Sequence, residues 1–79
     1  MISNETTDQR SIVLDFVVFL INRLARAWGK TTPDTYDILE RSGVLGEYIL
    51  PNWEVLHSEG TEALLQDVTE CVRMRGVAL

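Results

Sequence analysis

The amino-acid sequence predicts an all-α fold, a small bundle of four to five helices with a long, central, strongly apolar first helix. Three observations carry this. Nine of the ten residues from Ile12 to Ile21 are apolar, and the run continues into the helix-favouring stretch Asn22–Trp28. A second stretch, Thr61 to Arg75, repeats Leu64, Leu65, Val68, Cys71 and Val72 at helical spacing. Proline and glycine fall between such stretches, and no segment has the apolar–polar alternation of a strand.

Residues 1–6 are polar and acidic and are expected to form a flexible tail. Thr6 and Gln9 are spaced as a capping box, so the first helix is expected over about 7–28, ended by a left-handed Gly29. At about 100° per residue, Ser11, Asp15, Asn22 and Arg26 share one polar stripe. Phe16, Leu20, Val13, Leu24, Val17, Trp28, Ile21, Leu14, Ala25 and Val18 cover roughly 200°, against about 100° for an ordinary surface helix. An arc that wide needs cover on several sides, and a chain of 79 residues has few elements to give.

Thr32 as N-cap, Pro33 at the first helical position and Asp34 in the first turn predict a second helix over 33–41, carrying Tyr36 and Leu39 with Ile38 beside them. Ser42 can cap a third segment, 43–50, with Val44, Leu45, Tyr48 and Ile49 at helical spacing. Pro51 removes a backbone donor, so this helix breaks or kinks there. A short helix is expected over about 51–58, with Pro51 near its start; it presents Trp53 and Leu56, and Ser58-Glu59-Gly60 closes it. The last helix, 61–75, ends with Arg73 and Arg75 at its negative pole and then Gly76. Residues 1–79 read as a single domain.

Composition narrows function more by exclusion. A run of ten residues, nine of them apolar, is too short for a membrane span, which needs about 20. One cysteine, Cys71, cannot form an intramolecular disulfide, and the acidic N-terminus is unlike a secretory signal, so a cytoplasmic location is expected. A net charge of −5 argues against nucleic acid as a partner. Charge is unevenly placed: Phe16–Pro33 holds Arg23, Arg26 and Lys30 and no acid, whereas Ser42–Val72 holds six acids and no Lys or Arg. That acidic half is either a solvated face or a surface steered toward a basic protein. A helix-turn-helix around Ser42–Gly43 would put Glu47 and no basic residue on its recognition helix, which suits phosphates poorly.

Catalytic, metal-binding and cofactor-binding residues are not expected. The single His57 and the apolar-face Cys71 assemble neither a metal site nor a nucleophile with its base, and Gly43 and Gly46 do not make a phosphate loop. The candidate contact residues are instead Asp15, Trp53, Glu54, His57, Glu59 and Glu62. Asp15 either faces water with its stripe or fixes register in an interface. Trp53 is a core or an interface anchor, and His57 locks a turn or touches a partner. The function expected is that of a non-enzymatic protein-binding module. A homodimer burying the spare apolar arc is the alternative, and the partner is then a second copy, a basic protein, or both.

Leu14-Asp15-Phe16-Val17-Val18-Phe19, Thr35-Tyr36-Asp37-Ile38-Leu39, Ser42-Gly43-Val44-Leu45 and Val55-Leu56-His57-Ser58-Glu59-Gly60, with a later Asp67-Val68, resemble a small bacterial family of unknown function, DUF3791, over about Ile12 to Val72. The Leu-His-x-x-Gly turn at Leu56, His57 and Gly60 is the most specific part. The family usually has Thr in place of Ser58 and Gln in place of Glu59, and it lacks a counterpart of Pro51. The resemblance implies no activity. It implies short cytoplasmic proteins often encoded beside other small proteins, including ones resembling ADP-ribosyltransferases, and hence an antitoxin-like or immunity-like partner of a toxin-like neighbour.

Overall fold

The computed structural model describes residues 2–79, with side chains from residue 10 onward. The chain is all-α: α1 (Ile2–Trp28), α2 (Thr32–Arg41), a single π-helical turn π1 (Leu45–Ile49), α3 (Trp53–His57) and α4 (Thr61–Met74). No strand occurs among the described residues. α1 already begins at Ile2, so residues 2–6 are helical rather than the expected tail, and Thr6 lies within the helix rather than capping it.

α1 stops where glycine allows it. Gly29 adopts φ 66°, and the Lys30 N–H turns back to the Ala25 carbonyl at 2.9 Å. α2 starts one residue earlier than the sequence predicts. Its N-cap is Thr31, not Thr32, because the Thr31 hydroxyl accepts from the Asp34 N–H at 3.2 Å. Thr32 enters the helix and donates instead to Asn22 Oδ1 of α1 at 3.2 Å. The inward residues of α2 are Thr35 and Leu39, four apart, with Ile38 half-buried and Tyr36 exposed. Thr35 tolerates full burial because its hydroxyl donates to the Thr31 carbonyl at 2.9 Å. The Tyr36 hydroxyl donates outward to Glu40 at 2.8 Å, which raises the tyrosine pKa.

The third segment is π-helical rather than α-helical. The Leu50 N–H reaches the Leu45 carbonyl five residues back at 3.0 Å. Val44 and Ile49 are both fully buried. In an α-helix residues five apart would diverge by about 140°, and the wider turn brings both inward. The helix breaks at Pro51. Asn52 then completes the turn, its side-chain amide donating to the Tyr48 carbonyl at 2.8 Å before α3 begins.

The core joins all five helices: Phe16, Leu20, Ile21 and Leu24 of α1, Leu39 of α2, Val44 and Ile49 around π1, Leu56 of α3, and Leu64, Val68 and Val72 of α4. α1 packs against α2, α3 and α4, and α2 also meets π1. Lengths decide what stays open. The 27 residues of α1 span about 40 Å, whereas α4, the next longest at 14 residues, spans about 21 Å. Of the 200° arc, Phe16, Leu20, Ile21, Leu24 and Ala25 are buried, Val13, Val17 and Trp28 half-buried, and Leu14 and Val18 exposed.

Candidate functional site

The open surface begins on α1. Leu14 and Val18 are 63% and 56% exposed, and Ile12 and Phe19 are 48% and 40% exposed. These four residues form two ridges. Leu14, Val18, Ile21 and Ala25 recur at spacings of four, three and four, and so do Ile12, Phe16, Phe19 and Arg23. Both ridges are covered at some positions and open at others: Ile21 and Ala25 are buried on the first, Phe16 on the second. The stripe Ser11, Asp15, Asn22 and Arg26 runs between them and is exposed throughout, so Asp15 faces solvent. The Arg23 guanidinium lies 5.2 Å from the Phe19 ring centroid, a cation–π contact that leaves its charge at the surface.

α3 meets this surface at Phe16. The His57 ring stands edge-on to Phe16 with centroids 6.2 Å apart, and Trp53 tilts against the same histidine at 5.6 Å. His57 is exposed, and its Nδ1 is 3.5 Å from the Glu54 carbonyl. Trp53 is half-buried against the core, with Glu54 and Val55 exposed beside it. Of the six residues singled out from the sequence, Trp53, Glu54 and His57 therefore lie together, joined to α1 one residue from Asp15.

Glu59 and Glu62 lie apart from that group. Glu62 is exposed in the first turn of α4, and Glu59 is half-buried beside Asp67. Sharing a hydrogen bond with the Asp67 carboxylate raises the Glu59 pKa above its ordinary value. The Tyr48 hydroxyl is raised first by burial and then by the charges of Asp67 and Glu59. Tyr48, Asp67, Glu70, Cys71, Met74 and Arg75 line an open cleft of about 430 Å³. At its rim Arg75 Nη1 donates to Glu47 at 2.7 Å and to the Ser42 carbonyl at 3.1 Å, tying the end of α4 to the α2–π1 junction. A second cleft, about 410 Å³, lies where α1 meets α4, and there the Trp28 indole N–H donates to the Thr69 hydroxyl at 3.0 Å. Among the described residues no three His, Cys, Asp or Glu side chains are grouped to hold a metal ion, and no helix is long and apolar enough to cross a membrane.

Sequence reasoning missed Ile12, Phe19, Arg23 and Val55. A signal for the first three was present in the four–three–four spacing through Phe16. Nothing in the local pattern marked Val55, whose exposure depends on how α3 docks.

The geometry defines a small five-helix protein with an incompletely covered first helix. The chain belongs to the family described as Protein of unknown function (DUF3791), whose sequence pattern matches residues 15–75. No curated protein and no solved structure matches it.

Proposed function

We propose that the protein is a non-enzymatic protein-binding module of the cytoplasm, with α1 as its central apolar element. One observation carries this reading: α1 leaves Ile12, Leu14, Val18 and Phe19 exposed as parts of two ordered ridges. Scattered apolar residues are normal on a protein surface, whereas ridges at coiled-coil spacing are complementary to another helix. In this reading the partner is a protein, either a second copy or a basic toxin-like protein that an antitoxin-like or immunity-like neutraliser would engage. The acidic run between Glu47 and Glu70 supports steering toward such a basic surface.

A photo-crosslinking residue placed at Leu14 or Val18 in cells of the native host tests the module. Specific adducts that disappear when the other ridge residue is changed to serine are the expected result. Recovery of the uncrosslinked chain alone, at low salt, would refute it.

A further inference from the structure

We propose that the surface where α1 meets α3 is the interface of a two-fold homodimer, formed by Ile12, Phe19 and Arg23 of one helix and Trp53, Glu54 and His57 of the other. The inference rests on the reading of α1 as a binding surface and names the occupant of one of its ridges. The first of three features singles out a second copy, and the other two suit the surface to an interface.

First, the surface carries both signs of charge on opposite margins. Its α1 margin holds Arg23 over the Phe19 ring, with Asp15 exposed on the neighbouring polar stripe, and its α3 margin holds the exposed Glu54 and no Lys or Arg. A two-fold axis passing near the Phe16–His57 junction exchanges the margins, so Arg23 of each copy meets Glu54 of the other. A uniformly basic partner would satisfy only the α3 margin and would be repelled by Arg23.

Second, the centre of the surface is apolar and aromatic between those charged margins. Ile12 and Phe19 flank Phe16, and Phe16 meets the edge of His57, with Trp53 behind it. Aromatic anchors enclosed by a charged rim are the usual anatomy of a specific interface. Third, Arg23 is already held over the Phe19 ring, and ordering it beforehand lowers the entropy lost when it pairs across the interface.

The other ridge, Leu14 and Val18, lies across the polar stripe and stays open in this dimer. The two surfaces can therefore be tested separately.

Sedimentation equilibrium of the full chain, at roughly 1–100 µM, is the test. The expected mass is twice the 9.0 kDa of the chain, with weaker association as salt rises from about 50 to about 500 mM. R23E and E54R should each raise the dissociation constant about tenfold, and the double variant R23E/E54R should return it to within about threefold of the starting value. F19S should weaken association without altering the far-ultraviolet circular dichroism spectrum. A mass of 9.0 kDa at the highest concentration and lowest salt overturns the dimer. So does a dimer indifferent to R23E and E54R, or one that the double variant does not restore. If the chain is monomeric but Leu14 or Val18 still crosslinks to another protein, the dimer falls and the binding-module reading stands. If neither occurs, both fall.

Discussion

Gly43 joins α2 to π1, and replacing it with alanine isolates the energetics of that junction. The residue adopts φ 81°, where an L side chain is strained by about 1–2 kcal/mol. Alanine also stiffens the unfolded chain, which offsets about 0.4–1 kcal/mol of that strain. The net loss from backbone conformation is therefore about 1 kcal/mol, or a Tm fall of roughly 4–8 °C for a domain of this size.

The added methyl group has a second effect. Its carbon would stand 2.9 Å from Arg75 Nη1 and 3.1 Å from Glu47 Oε2, so the ion pair must move aside. Both are ends of flexible side chains, and the Glu47 side chain is 69% exposed. Displacing such a pair is a minor addition, so conformation should dominate. Thermal denaturation of wild type, G43A, R75Q and G43A/R75Q, followed by circular dichroism, separates the two contributions. G43A should keep most of its effect in the R75Q background. A G43A variant as stable as wild type would refute the strain argument, and a loss that vanishes once Arg75 is replaced would show that the ion pair carries it.

Three further outcomes follow from the same geometry. T31A should cost about 1 kcal/mol in urea denaturation by removing the N-cap of α2, while T32A should stay within about 0.5 kcal/mol; equal effects would count against Thr31 as the cap. L24A, at a fully buried position, should cost about 3 kcal/mol, whereas L14A should stay within about 0.5 kcal/mol in the monomer; a large loss at Leu14 would mean that the chain itself covers the ridge. D67N should raise Tm at pH 7. The folded chain holds the Glu59 proton more tightly than the unfolded one, so the carboxylate pair costs stability above the Glu59 pKa and regains it as pH falls through that value. The gap between variant and wild type should close by about pH 4, and a gap independent of pH would dismiss the pairing.

The local features were largely legible because they rest on local chemistry. Gly29 could be read as a left-handed stop, and Leu64, Val68 and Val72 as the buried stripe of α4, because backbone freedom and helical period are properties of short segments. The N-cap of α2 was misplaced by one residue because two threonines precede Pro33, and the spacing from Thr31 to Asp34 outweighed the preference of proline for the first helical position. The π-turn was not legible. Its apolar residues fit an α-helical period, and the departure arises where Pro51 interrupts the donor ladder and Val44 and Ile49 must both reach the core. The meeting of His57 with Phe16 joins residues 41 positions apart, a distance over which no periodicity applies. For that reason Trp53 and His57 could be marked as candidates but not placed beside α1.

A mismatch of lengths leaves α1 partly uncovered. A helix of about 40 Å is paired with helices of 10, 5 and 14 residues, none longer than about 21 Å, so no single neighbour can follow its seams from end to end. Had α1 served only the core, polar residues at positions 12, 14, 18 and 19 would have been preferable, as they are at Ser11 and Asp15, because exposed apolar ridges promote association. The apolar choice at these four positions is accounted for, in the proposed reading, by a second surface that covers them. Phe19 shows the point most directly: the residue is 40% exposed and its ring lies beneath an arginine, an arrangement that leaves both an apolar surface and a charge exposed.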